Sequence, residues 1–521
     1  MKVLLINPPY SFDESPTPPF GLMSLAAYIL EKGIDIKIVD YIVTPYSQAH
    51  VKKIIEEYNP DVVGATAVTM NINKAVSILK DYKEGNPDLT IVVGGPHVSF
   101  DAENILNNNN HIDYIVRGEG EKTFYESLIA ISEGLSFRDI MGISFKENGV
   151  NYHNDARPFI SDINILPYPA RQLGQLSKYK ALGFPINMIT ARGCPYRCIF
   201  CVGSRMVGRK IRYFDVKRVV DEFEMLASLG FKQINIVDDL FTSNKKRCMD
   251  ICDEILRRGI IHLWNGFARV DSVSLELLQK LKESGCTTLC FGIETGNQEI
   301  LNTIKKKTTL DKIQRAIDLC NEAGIEPMSS YILGLPGETP ETVEKSLEFA
   351  EALNPNYGFH VLSPFPGTEV REKNEAYGIK IFTDDWDRYD ANQSVCETEF
   401  ISSKEIDKIA NKFNTRAREY FFEIKEKQEN GENLLEKDQT FLNGLEKFAF
   451  AKDLIEKELL ENYTGIDNEA NMEEVINDFI LFIEKNTSYS KDVTRQRLLN
   501  LFKLNCIKVK SRDGNTEITW V

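Results

Sequence analysis

A chain of 521 residues exceeds what one hydrophobic core organises, and 42% apolar with 10% aromatic side chains excludes a disordered protein, so two or three globular domains are expected. The formal charge of −15 argues against a sequence-independent nucleic-acid binder, which needs an excess of Lys and Arg. No run reaches the ~18 apolar residues of a membrane span, and the first ten residues lack the long apolar stretch and cleavage site of a secretory leader, so a cytoplasmic protein is expected.

Along residues 1–145, strand-like runs at 2–7, 34–40, 61–66, 89–93 and 112–117 alternate with helical patterns at 21–32, 51–58 and 72–82. Near-continuous apolar strands separated by helices predict a parallel, Rossmann-like α/β sheet covered on both faces. Ligands bind such sheets at the carboxyl ends of the strands. Residues 146–180 are rich in turn formers and read as a linker. A second alternating series follows, with strands at 186–190, 233–237, 261–267, 287–292, 327–333 and 359–362. Helical patterns at 216–229, 275–284, 311–323 and 340–353 lie between them, which predicts a partial (β/α)6 barrel over 181–385. Residues 386–521 are expected to form a mainly helical region that caps the barrel mouth. Trp386, Tyr389, Tyr420, Phe421 and Phe422 belong there, as core or as pocket lining.

Residues 1–193 contain no cysteine, and then Cys194, Cys198 and Cys201 appear within eight positions. A C-x3-C-x2-C loop after a strand can hold three irons of a [4Fe–4S] cube and leave the fourth iron open. A structural zinc ion needs four ligands, and no further Cys or His lies nearby. Here the chain resembles the radical S-adenosylmethionine (SAM) superfamily, whose signature carries an aromatic residue just before the third cysteine, as Phe200 does. The resemblance implies that the open iron chelates SAM, which is cleaved on reduction to a 5′-deoxyadenosyl radical. It further implies SAM contacts at the successive strand ends. Asp238 and Asp239 would meet the amino group, with a helix cap the alternative for Asp239. Arg269 would meet a carboxylate or form a structural ion pair, Glu294 the ribose or methionine, and the Gly334 turn the adenine.

The first domain resembles the cobalamin-binding domains of radical SAM enzymes through Asn7-Pro8-Pro9-Tyr10, Pro19-Phe20-Gly21-Leu22, residues 65–69, Gly94-Gly95-Pro96-His97 and residues 117–121. The contacts this implies are Pro8, Pro9, Tyr10, Gly21, Leu22, Thr66, Thr69, Gly94, Gly95, Pro96, His97, Gly118, Glu119 and Gly120. Aligning the glycine of the D-x-H-x-x-G cobalamin motif with Gly21 puts Pro18 in the slot of the cobalt-ligating histidine. A corrinoid would therefore bind without a His ligand, and His97 would be either a metal ligand or a loop contact. The activity implied is methylation of an unreactive carbon, with a cyclase or rearrangement enzyme and an inactive corrinoid carrier as alternatives. The substrate is a small molecule, a lipid or a peptide, and the reductant a flavodoxin or ferredoxin. A methylthiotransferase is disfavoured, because its second cluster needs cysteines before residue 194.

Overall fold

The computed structural model describes residues 1–12, 16–353, 356–467, 471–512 and 515–521. In its first part β1 (Lys2–Asn7), β2 (Asp35–Asp40), β3 (Val62–Thr66), β4 (Thr90–Gly94) and β5 (Tyr114–Val116) run parallel in the order β2-β1-β3-β4-β5. Leu4, Ile6, Val63 and Ile91 enter one apolar layer, while Val3, Leu5, Val62 and Val92 enter the other. Burial on both faces is why these strands read as unbroken apolar runs. β6 (Ile143–Glu147) and β7 (Val150–His153) extend the sheet as an antiparallel hairpin, so the stretch read as a linker begins inside the first sheet. β7 is an edge strand of only four residues, exposed at both ends, and its Val150-Asn151-Tyr152-His153 alternation is too short to read as a strand.

Eight further strands follow: β8 (Ile186–Met188), β9 (Ala191–Arg192), β10 (Arg212–Tyr213), β11 (Ile234–Ile236), β12 (Trp264–Ala268), β13 (Cys286–Glu294), β14 (Glu326–Leu333) and β15 (Tyr357–Val361). β9 and β10 pair with each other, and the other six form a parallel sheet in the order β15-β14-β13-β12-β11-β8. Its edge strands β8 and β15 are not paired with each other, so the barrel is partial. Trp264, Leu289, Phe291, Ile293 and Tyr331 point outward into one core with Ile251, Leu277, Leu281 and Ile313 of the crossover helices.

Beyond the barrel, β16 (Ile379–Ile381) and β17 (Cys396–Thr398) pair, and four helices follow at Ser403–Glu429, Glu436–Glu456, Met472–Asn486 and Lys491–Lys503. β18 (Ile466–Asp467), β19 (Ile507–Arg512) and β20 (Asn515–Trp520) add a small antiparallel sheet. Phe448 meets Phe12 and Phe184 at ring centroids of 6.1 and 5.8 Å, and Ile401 and Ile406 share a cluster with Leu333 and Val361 on the outer side of β14 and β15. The inner-face side chains Phe267 and Met328 stay 46% and 48% exposed, so the described C-terminal helices do not cap that part of the barrel interior. Trp386 and Tyr389 pack together at a tilt, ring centroids 4.9 Å apart, whereas Tyr420 and Phe422 are exposed on the helix Ser403–Glu429. Among the described residues no helix is long and apolar enough to cross a membrane.

Candidate active site between the two sheets

The three motif cysteines lie on the loop between β9 and the short helix Gly203–Met206. Gly193 opens the loop with φ 119°, and a Cβ there would sit 2.5 Å from the Lys210 carbonyl oxygen, so only glycine fits. The backbone pins the loop at several points. The N–H of Cys194 donates to Gly208 O at 3.0 Å, that of Ile199 to Ile304 O at 3.2 Å, and that of Val370 to Ile199 O at 3.0 Å. Cys194, Cys198 and Cys201 are free thiols, none of them buried. Among the described residues no three Cys, His, Asp or Glu side chains stand close enough to hold a single ion. A cluster cube takes each thiolate on a different iron, so its ligands stand farther apart than those round one ion. Three accessible thiolates on a rigid loop fit a cluster and not a zinc site.

The other barrel residues divide by orientation. Asp238 turns into the sheet, where its carboxylate accepts from the backbone N–H of Thr190 at 2.5 Å and of Ala191 at 3.1 Å. Burial raises its pKa to about 6, against these hydrogen bonds and the nearby Arg247. It tethers the start of the cysteine loop and does not face a ligand. Asp239, one residue on, lies on the cavity described below. Arg269 is engaged within the protein: its guanidinium lies 3.6 Å from the Tyr196 ring centroid and donates to Asp271 at 3.1 Å and Lys306 O at 2.6 Å. Glu294 adopts φ 73° where the register between β13 and β14 shifts, and its carboxylate accepts from Lys306 Nζ at 2.6 Å. The same ammonium lies 5.9 Å from the half-buried Phe200 ring. Gly334, at φ 85°, donates its N–H to Glu338, whose burial raises its pKa to about 8.

Where the first sheet meets the barrel there is a cavity of about 410 Å³. From the first sheet it is lined by Gly21, Leu22, Thr66, Gly94, Gly95, Pro96, Gly118, Glu119 and Gly120, and from the barrel by Ile189, Arg192, Met206, Val237 and Asp239. A Cβ on Gly21 or Gly118 would meet nothing within 4 Å, so the missing side chains leave open space in the cavity. At Gly95, φ 106° and a Cβ only 2.6 Å from Ala67 O exclude other residues, bringing bare backbone to the cavity wall. A flat macrocycle with a trailing nucleotide fits such a glycine-lined slot at strand ends.

Pro8, Pro9, Tyr10, Thr69 and His97 do not line this cavity. Pro9 and Tyr10 line a smaller one of about 330 Å³ with Lys452 and Glu456. His97 is buried, with Nδ1 3.2 Å from Thr69 Oγ1 and its ring 4.9 Å from that of Trp386, so C-terminal packing turns it away. No local pattern announces that contact, because its partner lies almost 300 residues along the chain.

A buried ion-pair clasp joins the two halves beside the cavity. Arg192 donates to Glu119 at 3.0 Å and to Glu121 at 2.7 Å, and Arg212 reaches Glu119 at 2.9 Å. Burial would raise the Glu119 pKa, but Arg212, Arg192 and the Ile160 N–H together hold it below the usual value. Arg192 is two residues before Cys194, so the clasp ties the cluster loop to the Gly118-Glu119-Gly120 corner. Sequence reading gave Arg192 and Arg212 no role and had Glu121 only as part of the 117–121 segment. The arginines stand 71 to 93 residues from the acids, and no spacing rule links them.

Known proteins match this arrangement. Residues 13–128 match the B12 binding domain model and residues 188–350 the Radical SAM superfamily model. An uncharacterized methyltransferase of Pyrococcus horikoshii is 36% identical over 420 residues, covering 79% of this chain and 91% of that protein. The anaerobic magnesium-protoporphyrin IX monomethyl ester cyclase of Rubrivivax gelatinosus is 32% identical over 410 residues, covering 75% and 72%. Among solved structures, OxsB, a cobalamin-dependent SAM radical enzyme with aqua-cobalamin and SAM bound, covers 96% of this chain and 78% of its own, with TM-score 0.69 at 18% identity. TsrM, a radical SAM methyltransferase from Kitasatospora setae with cobalamin and a [4Fe–4S] cluster bound, covers 78% and 84%, with TM-score 0.65 at 23% identity. A glycine-lined cavity at one sheet's strand ends thus stands against a three-cysteine loop on the other, and the chain belongs to the cobalamin-binding radical SAM enzymes, whose cofactors are a [4Fe–4S] cluster, SAM and cobalamin.

Proposed function

We propose that the protein transfers a methyl group to an unreactive carbon of a small molecule. The observation that supports this most is the shared cavity: corrinoid-side glycines and cluster-side Arg192 and Asp239 line one space. When bound, the cluster and SAM supply a deoxyadenosyl radical and cobalamin supplies the methyl group. The chain's own part is placement, since holding both reagents in one cavity turns an encounter of three partners into a local step. Cys194, Cys198 and Cys201 would hold the cluster, Asp239 and the Glu294–Lys306 pair would serve SAM, and Gly94, Gly95 and Gly118 would leave room for cobalamin. Electrons come from a flavodoxin or ferredoxin, and the reaction runs in the cytoplasm.

The methyl-transfer reading draws on the methyltransferase name of the 36%-identical relative, while the 32%-identical cyclase keeps a second reading alive. With methyl-deuterated SAM, the product gains a labelled methyl group, and deoxyadenosine and S-adenosylhomocysteine form in equal amounts. Deoxyadenosine without label or S-adenosylhomocysteine, measured by mass spectrometry with the true substrate, rejects methyl transfer in favour of the cyclase reading.

Pro18 fills the histidine slot, and the His97 ring lies buried against Thr69 and Trp386, off the cavity. Co(II) cobalamin bound to the protein is therefore expected to show an EPR spectrum without nitrogen superhyperfine splitting. Clear splitting from one axial nitrogen contradicts this.

A further inference from the structure

Successive side chains of a strand alternate between the helix side and the inner side of a barrel. With Trp264, Leu289 and Phe291 outward, the register carries two inner rows across the sheet. The lower row is Asn187, Asn235, Asn265 and Thr288, paired strand to strand. The row above it is Ile189, Val237, Phe267, Cys290 and Met328, and it contains no charge and no hydrogen-bonding group stronger than a thiol. Phe267 and Met328 in that row are 46% and 48% exposed, and Cys290 Sγ touches Met328 Sδ at 3.9 Å. Large apolar side chains left open on a concave face mark a ligand surface. This row runs into the shared cavity, because Ile189 and Val237 line both.

The lower row adds a second, independent observation. The side-chain oxygens of Asn187 and Asn235 are buried and accept no hydrogen bond from the protein, although the Asn187 amide nitrogen donates to Thr17 Oγ1 at 2.7 Å. A buried acceptor without a donor is costly, so the site calls for a ligand or water that brings one. Glu326 faces the same level on β14 but accepts from Asn356.

We infer, resting on the methyl-transfer reading, that the substrate is an uncharged, largely apolar molecule whose one hydroxyl or amine end enters the barrel first. Its apolar body lies on the Phe267–Cys290–Met328 row, and its polar end donates to Asn187 and Asn235. The part reaching up past Ile189 and Val237 is the part presented to the cofactors. The part of the substrate lying on these rows carries no phosphate and no charge, since neither row offers a cation.

The test uses reconstituted holoenzyme, reductant, methyl-deuterated SAM and an extract of a strain lacking the gene, split into chloroform-soluble and water-soluble fractions. The chloroform-soluble fraction is expected to raise deoxyadenosine formation several-fold and to acquire the label. A rise without label keeps the apolar substrate and rejects methyl transfer. A rise with the water-soluble fraction alone, or with neither fraction, overturns the inference. Met328→Gln, which keeps volume at a half-exposed site, should lower the response to the chloroform fraction roughly tenfold, while Met328→Leu restores it. Equal responses from the two variants would also overturn it.

Discussion

Replacing Cys194, Cys198 and Cys201 together by alanine removes the iron–sulfur cluster and all SAM cleavage. Reconstituted wild-type protein is expected to carry about four irons per chain with the broad visible absorption of a [4Fe–4S] cube, and the triple variant close to none. The loss is one of ligands and not of folding. The loop is held by backbone bonds to Gly208, Ile304 and Val370 and by the Gly193 turn, none of which uses a thiol. The variant therefore keeps its far-ultraviolet circular dichroism, and it still binds hydroxocobalamin, because the glycine-lined wall belongs to the other sheet. A full cluster in the triple variant would falsify the central assignment. The remaining cysteines give no substitute: Cys248, Cys252, Cys286, Cys320, Cys396 and Cys506 are buried, and Cys290 sits on the inner face of β13.

Arg192→Met is expected to destabilise the protein by roughly 3–5 kcal/mol, the usual cost of leaving buried carboxylates without their partner. The side chains involved are Arg192 at 13% exposure, Glu119 at 8% and Glu121 at 7%. Methionine matches the length of the aliphatic stem, so the change removes charge more than volume. Glu119 keeps Arg212 and the Ile160 N–H, whereas Glu121 loses the one partner found for it among the described residues. Adding Glu121→Gln to Arg192→Met should therefore recover part of the loss, a coupling that a double-mutant cycle in urea unfolding reads directly. Cobalamin retention on gel filtration should fall in the single variant, since the clasp holds the Gly118-Glu119-Gly120 corner against the barrel. A single variant as stable as wild type would show that the two halves are held by apolar packing alone.

Local chemistry was enough for the parallel strands of both sheets, most of the helices between them and the cluster loop, but not for the short pairs β6–β7 and β9–β10 or the helices Pro96–Asn108, Gly120–Glu133 and Lys245–Arg257. Doubly buried strands such as Val62–Thr66 are apolar in all but their last residue, and C-x3-C-x2-C lies within eight residues, so each signal is complete in one window of sequence. The pair Asp238-Asp239 sits at the edge of what such a window holds. Both acids follow the same strand, but the pleat sends one carboxylate back on to Thr190 and the other to the cavity. What tertiary structure alone decided is long-range. Arg192 finds Glu119 and Glu121 across the junction of two sheets, and Trp386, from the segment after the barrel, covers His97. Phe267, Cys290 and Met328 become neighbours only through the parallel register of β12, β13 and β14. Sequence spacing carries contacts made within one element. Contacts made by closing a long loop are chosen by the packing of whole sheets, and that is where this protein keeps its clasp and its inner wall.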